Sequence, residues 1–279
     1  MGIAKTLAKQ FAELLPAKAT PFVIIDNRKL PLSVVIISLD AAAVIPACLQ
    51  SAAFAAEIVV VDSGSRDRTQ AIAKEFGARV IHHDWQGYGA QKQFAVNQAS
   101  HDWVLCLDTD ERVSAKLQES IRIALNNPTH MAYLMPRCNC FMGRWLRHGE
   151  GYPDWSLRLF DRRQAHWSED AVHEKVITAE SLGKLNGDLL HESAEDLSAY
   201  LSKQNRYTTL QAETLYRNGK QVSALKLGLS PIARFIKFYG LRLGFLDGLP
   251  GLVHISIGCF NSFIKYAKLR DLQRKQEVT

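Results

Sequence analysis

The chain has 279 residues, 47% of them hydrophobic and 22% charged, which is the composition of a globular protein with enough apolar material for a substantial core. Its five cysteines are an odd number and include no C-x-x-C pair, which argues against a disulfide framework or a zinc site and is typical of the reducing cytoplasm. There is no uninterrupted apolar run of about 18 residues, which argues against a simple membrane-spanning helix.

The predicted strands begin after residue 30. Before them, residues 1–16 mix Lys5, Lys9 and Glu13 with apolar residues, which predicts an amphipathic helix and not a signal peptide. Further along, β-branched apolar runs predict strands, and apolar residues at helical spacing predict helices. The predicted strands are Leu32–Leu39, Glu57–Val61, Arg79–His82 and Trp103–Leu107. The predicted helices are Val44–Ala56, Asp67–Phe76, Tyr88–Ala99 and Ser114–Leu125.

Strands and helices alternate with short connections, which predicts an α/β fold with a parallel sheet. After Pro128 the pattern predicts an irregular mixed segment with short strands at Ala132–Pro136 and Leu157–Phe160. Residues from Asp196 to Lys220, and again from Ser230 onward, have helical spacing, and Gly and Pro residues interrupt the second stretch. The predicted organisation is an N-terminal extension at 1–30, a sheet domain at 31–195 and a helical, basic region at 196–279.

The net charge of +6 is concentrated at the end of the chain. Residues 226–279 contain nine Lys and Arg against three Asp and Glu, whereas the rest of the chain is balanced. Several Phe and Tyr residues are mixed with these charges. A basic, aromatic segment predicts contact with an anionic surface. The alternative is a set of helices that pack on the rest of the protein with their lysines extended into solvent.

Two acidic clusters follow predicted strands. Asp108-Thr109-Asp110 comes directly after the fourth strand, and an extended backbone directs the two carboxylates to the same side. Paired carboxylates suit Mg²⁺ or Mn²⁺, which bridge to substrate phosphates. Asp62-Ser63-Gly64-Ser65 ends the second strand, where small residues let a ligand approach the backbone. Alternatively, the first cluster is a solvated turn, and Ser65 or Asp67 caps the following helix. Because ligands bind at the carboxyl ends of parallel strands, both clusters are candidate site residues.

Three motifs in this order resemble family-2 glycosyltransferases of the GT-A fold. They are Pro31–Ser38, Ile58–Thr69 and Trp103–Glu111. The resemblance implies a Rossmann-like mixed sheet with helices on both faces, of the kind that binds nucleotide-diphospho-sugars, plus a C-terminal helical extension. The implied donor-binding residues at the strand ends are Ser38, Asp40, Asp62, Ser63, Gly64, Asp108, Thr109 and Asp110. Asp110, assisted by Asp108, is the implied ligand of Mg²⁺ or Mn²⁺.

Four further motifs resemble the glucosyltransferases that add β-linked glucose to the inner-core heptose of lipopolysaccharide. They are Gly87–Ala95, Trp155–Phe160, Val172–Glu174 and Gly244–Gly248. The resemblance implies a UDP-glucose donor and a lipopolysaccharide-core or similar glycolipid acceptor. The chain departs from the pattern in two places, with Asp40-Ala41 where an Asn-Glu pair is usual and Lys92-Gln93 where Lys-Asn is usual.

Transfer with inversion requires a base for the acceptor hydroxyl. In the segment Ser168–Glu174, Glu174 is the first candidate and Asp170 the second, with His173 to orient the carboxylate. The alternative is a polar loop that leads into a strand at Lys175–Ile177. Lys92 is a candidate contact of the donor diphosphate, or else an exposed helix lysine.

Two residues of the second half are candidates for acceptor binding. Trp155 offers an aromatic face to a sugar, and Arg158 offers a guanidinium to a phosphate. Alternatively, both are structural, and Arg158 pairs with a core carboxylate. With a glycolipid acceptor, the basic C-terminal region is expected to lie on the inner leaflet, so the protein is expected to be cytoplasmic and peripheral on the inner membrane.

Other classes of protein fit the sequence less well. A nicotinamide dehydrogenase needs G-x-G-x-x-G after the first strand, and a nucleotidyltransferase needs a glycine-rich basic loop there, but Ser38–Ala42 contains no glycine. No nucleic-acid-binding motif is present. The remaining alternatives are a transferase for another surface polysaccharide or glycolipid, and a non-catalytic nucleotide-sugar-binding module. Retention of Asp62, Asp108, Asp110 and Glu174 argues against the binding module.

Overall fold

A computed structural model of the protein describes residues 29–168, 174–193 and 196–277. The strands are β1 (Leu30–Ser38), β2 (Ala55–Asp62), β3 (Arg79–His82), β4 (Trp103–Asp108), β5 (Glu111–Val113), β6 (Ala132–Phe141), β7 (Arg144–Trp145), β8 (Asp154–Asp161), β9 (Ala165–Trp167), β10 (Val176–Thr178), β11 (Leu182–Lys184) and β12 (Leu189–His191). The α-helices are α1 (Ile45–Ala52), α2 (Thr69–Glu75), α3 (Tyr88–Asn97), α4 (Ala115–Asn126), α5 (Leu197–Arg217), α6 (Ala224–Phe235) and α7 (Gly248–Glu277). A π-helical stretch at Ile236–Leu241 and a 3₁₀ turn at Gly244–Asp247 join α6 to α7.

The main sheet is mixed and has the order β3-β2-β1-β4-β8-β6-β12-β5. Strands β1 to β4 are parallel, as their β-branched runs predict, whereas β8 is antiparallel to both β4 and β6. Both strands predicted after Pro128 are present, but the expectation that they are short pieces of an irregular segment is wrong, because β6 and β8 are long strands that extend the sheet. Their hydrogen bonds come from partners distant in sequence, and local periodicity does not report such pairing.

Both faces of the sheet are buried. On β1, Leu32, Val34 and Ile36 pack on one face beneath α1 and α4, whereas Val35 lies on the other face with residues of α3. Successive strand residues point to opposite faces, so a continuous apolar run fits a strand that is covered on both sides. Complete burial of one such side chain contributes roughly 1.5–3 kcal/mol. The predicted α/β architecture with helices on both faces is confirmed.

Several predicted boundaries need correction. Helix α1 ends at Ala52 and not at Ala56, because the carbonyl of Phe54 accepts a hydrogen bond from the backbone of Leu30 and the chain has already entered β2. Of the glycines and prolines expected to interrupt the second helical stretch, Gly240, Gly244 and Gly248 lie at or beside the π-helical stretch and the 3₁₀ turn, whereas Pro250 and Gly251 do not break α7, which runs on from Gly248. Proline is tolerated in the first helical turn, where its missing N–H has no helical partner.

The C-terminal helices are fixed to the sheet by the Asp247 junction, which comprises Asp247, Arg147 and His148. Asp247 is 2% exposed, and its carboxylate accepts from the backbone N–H groups of Arg147 (3.0 Å) and His148 (2.8 Å). A side-chain contact with His148 (2.9 Å) completes the pairing. Nearby, a Cβ on Gly244 would lie 2.6 Å from the Phe238 carbonyl, so only glycine permits this approach. The helical region therefore packs against the loop before β8.

Helix α6 buries no side chain. It belongs to a surface on which large apolar side chains are mixed with basic ones, here named the apolar–basic surface. Its apolar members are Leu225, Leu229, Ile232, Phe235, Ile236, Leu241, Leu243, Phe245, Leu246 and Leu249, and its basic members are Lys226, Lys237 and Arg242. Large exposed apolar side chains in such number are unusual on a free soluble surface, and exposed apolar patches typically mark binding surfaces.

Within the described ranges, no single helix has the length and apolarity needed to cross a membrane. One bent pair, Ala224–Leu241 with Gly244–Lys275, meets those two criteria jointly, and its two parts differ in direction by 74°.

Candidate active site

The loops after β1 and β2 form one hydrogen-bonded unit around Asp62. This carboxylate is fully buried and accepts from the hydroxyls of Ser38 (2.9 Å) and Ser65 (2.5 Å), the backbone of Gly64 (3.1 Å) and Ser65 (2.8 Å), and the amide of Gln70 (2.7 Å). Burial acts to raise the pKa of Asp62, but the hydrogen bonds from Ser65, Ser38 and Gln70 outweigh it and hold the pKa below its ordinary value. Asp62 therefore stays ionised and shapes the loop.

The same unit explains the small residues between the strands and the helices. Gly64 has φ +98°, a left-handed conformation that favours glycine and lets the chain turn back so that Ser65 reaches Asp62. The backbone of Asp40 donates to the Ser65 hydroxyl (2.8 Å), while the Asp40 carboxylate accepts from Arg66 N–H (2.7 Å). Ser38, Asp40, Ser63 and Gly64 thus lie together at the carboxyl edge of the sheet, as predicted.

The alternative prediction, that Ser65 or Asp67 caps the following helix, is confirmed only for Asp67. Helix α2 begins at Thr69, and its N-cap residue, Arg68, makes no side-chain capping bond. Capping by Ser65 is wrong, because its hydroxyl is directed to Asp62. Asp67 does accept from the backbone N–H of Thr69 (2.9 Å), so it satisfies one free donor of the first turn.

A buried ion network lies at the end of β4. Each oxygen of Asp108 contacts a cation, Lys92 at 3.1 Å and Arg158 at 2.8 Å. Lys92 also contacts Glu174 (3.1 Å), and Arg158 also contacts Glu111 (2.9 Å). The Glu111 side chain is fully buried and closes the turn by accepting from the backbone N–H of Asp108 (3.0 Å). The network therefore brings together four predicted residues, Lys92, Asp108, Arg158 and Glu174, with Glu111.

The charges in this network stabilise one another. Burial acts to raise the pKa of Asp108, but Arg158 and Lys92 hold it well below its ordinary range. Burial acts to lower the pKa of Arg158, and Glu111 and Asp108 raise it well above the usual value. Trp167 lies beneath both cations, with its ring centroid 4.8 Å from Lys92 and 5.7 Å from Arg158. The interpretation of Lys92 as an exposed helix lysine is wrong, because its side chain is only 6% exposed.

Arg158 reaches the network from an irregular point of β8. Tyr133 pairs with Leu159 and Leu134 with Leu157, so Arg158 is the extra residue of a β-bulge. Bulges redirect a side chain, and here the guanidinium points to two carboxylates. The sequence left two interpretations of Arg158 open, and the structure shows the second, in which the guanidinium pairs with carboxylates of the protein itself. Trp155, on the same strand, is 40% exposed with Lys184 stacked at 4.8 Å, and its role in acceptor binding stays a prediction.

The second aspartate of the D-x-D cluster has a different environment. Asp110 lies past the half-buried Thr109, and its Oδ2 is 3.3 Å from Nε2 of His191 at the end of β12. Nδ1 of His191 contacts the side-chain oxygen of Asn139 (2.8 Å), which fixes the ring orientation. Sequence reasoning missed His191, because only the pairing of β12 with β5 and β6 brings it to Asp110.

Asp110 and His191 fit a divalent cation as a pair of ligands. Cis ligands of an octahedral ion at about 2.1 Å lie about 3.0 Å apart, close to the separation of 3.3 Å between these two side chains. Among the described residues, no group of three or more His, Cys, Asp and Glu side chains could hold an ion, so phosphate oxygens and water would complete the coordination. Because both oxygens of Asp108 already contact cations, Asp110 is the better ligand.

Two candidates for the base region, Asp170 and His173, lie outside the described residues, as do residues 1–28 with their predicted helix. Glu174 is described, and its carboxylate faces Lys92. Gln93 stands at a position where the resembled family usually has Asn. Its side-chain oxygen accepts from the backbone N–H of Trp167 (2.8 Å) and so helps to hold the Trp167 ring in place beneath the ion network.

Comparison with known proteins points to one family. The family model described as Glycosyl transferase family 2 matches residues 33–179. The chain is 33% identical to an uncharacterized glycosyltransferase of Rickettsia prowazekii over 233 residues, which cover 79% of this chain and 80% of that protein. It is 30% identical over 249 residues to the lipopolysaccharide core biosynthesis glycosyltransferase LpsC of Rhizobium meliloti, with coverage of 86% and 92%. Among solved structures, it is similar to TarS 1–349 of S. aureus in complex with UDP-GlcNAc, with TM-score 0.45, 14% identity, and coverage of 85% of this chain and 81% of that one.

Proposed function

The chain belongs to glycosyl transferase family 2 and is a glycosyltransferase with the GT-A fold, and on this basis we propose that it transfers glucose from UDP-glucose to a heptose of the lipopolysaccharide inner core, with inversion. The observation that carries the proposal is the pairing of Asp110 with His191 at the carboxyl edge of the sheet. The acceptor class is supported by similarity to LpsC, whose name specifies lipopolysaccharide core biosynthesis.

The proposed donor site spans the two loops and the end of β4. The loop unit around Asp62 supplies a rigid edge for the nucleoside, with Ser63 and Gly64 at its rim. Asp110 and His191 would hold Mg²⁺ or Mn²⁺, and a bound cation neutralises the charge that develops on the leaving diphosphate. Lys92 and Arg158 hold Asp108 ionised and in place beside this position. Retention of all these groups favours a catalyst over a non-catalytic binding module.

We expect Glu174→Gln to lower acceptor-dependent turnover about 100-fold or more, since a general base typically contributes 10²–10⁴-fold. Gln still accepts a hydrogen bond from Lys92, so the fold is expected to persist. The measurement is the rate of UDP release with and without acceptor, compared with Glu180→Gln, an exposed glutamate on the following turn. Turnover near the wild-type rate in Glu174→Gln would exclude this residue as base and direct attention to Asp170.

We also propose that the apolar–basic surface binds the anionic inner leaflet, which makes the protein peripheral on the cytoplasmic face of the membrane. Basic residues near such a surface contribute about 1 kcal/mol each, and exposed Leu225, Ile232 and Leu241 would insert among the acyl chains. Sedimentation with phosphatidylglycerol vesicles at low salt is expected to remove the protein from solution. Phosphatidylcholine vesicles are expected to bind less. Protein that stays in solution with the anionic vesicles would contradict the proposal.

The proposed activity is tested by measuring UDP release from a panel of UDP-sugars with Mn²⁺, with Mg²⁺ and with chelator. Slow donor hydrolysis by water needs no acceptor, so the acceptor does not have to be known. Release from UDP-glucose that requires a divalent metal is the expected result. If no UDP-sugar reacts, and calorimetry detects no binding of UDP with Mn²⁺, the proposed activity is rejected.

A further inference from the structure

A cavity of about 470 Å³ lies between the sheet and the C-terminal helices. Its walls come from the end of β6, the residues after β12, the start of α5 and the second turn of α7. Cavities of roughly 300–1,000 Å³ are typical of small-ligand sites. None of the residues that line it belongs to the predicted site.

The cavity adjoins the proposed metal ligands. His191 lines it and is the residue whose Nε2 lies 3.3 Å from Asp110. A ligand seated in the cavity would therefore lie next to the position assigned to the donor diphosphate. This adjacency is what an acceptor subsite requires, because the acceptor hydroxyl must approach the anomeric carbon of the bound donor.

Three rings form one side of the cavity. The ring of Phe141 lies 5.3 Å from that of Tyr200 and 5.2 Å from that of His254, while Tyr200 and His254 are 6.2 Å apart. Aromatic walls bury the apolar C–H face of a ring-shaped ligand, whereas a few polar groups fix its orientation.

Polar groups of both signs are present among the lining residues. Lys203 is basic, whereas Glu192 and Asp196 are acidic, and both acids already have partners in Arg112 and the backbone N–H of Ala199. A lining that carries both signs matches a neutral, hydroxyl-rich ligand better than a strongly charged one.

His254 supplies a polar atom that lacks a partner. Within the described part of the chain, its Nδ1 is buried and makes no hydrogen bond. Buried polar atoms are nearly always paired, because leaving one unpaired costs free energy. Because the Nδ1 atom itself has almost no accessible surface, a ligand hydroxyl reaches it only when the imidazole rotates toward the cavity that it lines, and the nitrogen has no hydrogen bond to lose in that rotation.

We propose that this cavity is the acceptor subsite and holds one uncharged pyranose ring of a saccharide. Its role as an acceptor subsite rests on the proposed glycosyltransferase function, whereas its ability to bind a pyranose does not.

Saturation-transfer NMR with methyl glycosides of heptose, mannose and glucose tests the binding without any donor. We expect the wild-type protein to transfer magnetisation to at least one glycoside. The Tyr200→Ala and His254→Phe variants are expected to bind that glycoside at least tenfold more weakly. His254→Asn, which keeps a polar group near the Nδ1 position, should bind better than His254→Phe. Tyr207→Ala is the matched control, because Tyr207 lies on the same helix outside the cavity.

Two results would overturn the proposal. One is the absence of saturation transfer to any of the glycosides, and the other is equal glycoside affinity in the wild type, Tyr200→Ala and His254→Phe. Calorimetry with UDP and Mn²⁺ on the same samples separates the two proposals. Glycoside binding that depends on Tyr200 and His254 supports the cavity assignment even where UDP does not bind, and in that case the proposed donor function alone fails. Unchanged UDP affinity in the variants would show that their loss of glycoside binding is local to the cavity.

Discussion

Asp110→Ala is expected to lower metal-dependent UDP release by about 100-fold or more at a fixed Mn²⁺ concentration, since electrostatic stabilisation of a leaving group by one preorganised contact is commonly worth 10²–10³-fold. Asp110 is the only carboxylate of the D-x-D cluster that is not held between two cations. The measurement is the initial rate of UDP release across a Mn²⁺ titration.

The companion variants sharpen this result. His191→Ala is expected to act in the same direction, with part of the rate restored at high Mn²⁺, because one ligand remains. Asp102→Ala serves as the control, since its side chain is about half exposed and directly precedes β4, at the opposite edge of the sheet. If Asp110→Ala keeps a rate within about threefold of wild type at every metal concentration, the cation is held elsewhere or is not used.

Arg158→Met is expected to destabilise the protein by about 3–5 kcal/mol, because it removes the guanidinium that contacts both carboxylates and leaves the buried Glu111 with only Arg137 at 3.6 Å. Glu111 is fully buried and has no access to water that would replace the guanidinium. Arg158→Lys should lose less, since it keeps the charge but not the two-sided contact of the guanidinium group. The measurement is urea denaturation followed by tryptophan fluorescence.

Arg68→Met is the matched control for this loss. Arg68 pairs with Glu75, and both side chains are more than half exposed, so the expected change is under about 1 kcal/mol. An Arg158→Met protein with the wild-type denaturation midpoint and a raised KM would instead identify Arg158 as a substrate-binding residue.

The parallel half of the sheet and the strand-end clusters were predictable, because the information is local. Runs such as Leu32–Leu39 are apolar at every position, which only a strand covered on both faces tolerates. Once such strands are parallel, their carboxyl ends share one edge, so Asp62 and Asp108 had to come near each other. These predictions needed no knowledge of long-range pairing.

The rest of the site depends on pairing that sequence patterns do not reveal. His191 reaches Asp110 because β12 pairs with both β5 and β6, and nothing in its local sequence marks it as a ligand. Arg158 depends on a bulge, which is a one-residue offset between strands. For Lys92 the sequence left two alternatives open, a donor contact and an exposed helix lysine, because helix periodicity does not report which face the loop at Glu174 covers.

The Gly244–Gly248 motif is one of those that resemble a glucosyltransferase family, yet its aspartate, Asp247, accepts hydrogen bonds from the protein's own backbone. Asp247 and Arg147 are one hundred residues apart in the chain, so this contact joins the two parts that face each other across the cavity. The family match ends at residue 179, before His191, Tyr200 and His254. A hybrid made by grafting the helices of one relative onto the sheet of another would therefore inherit much of its cavity wall from the graft. The grafted helices would pack correctly only if their counterpart of Asp247 meets a loop of the other relative's sheet domain that offers two free backbone N–H groups.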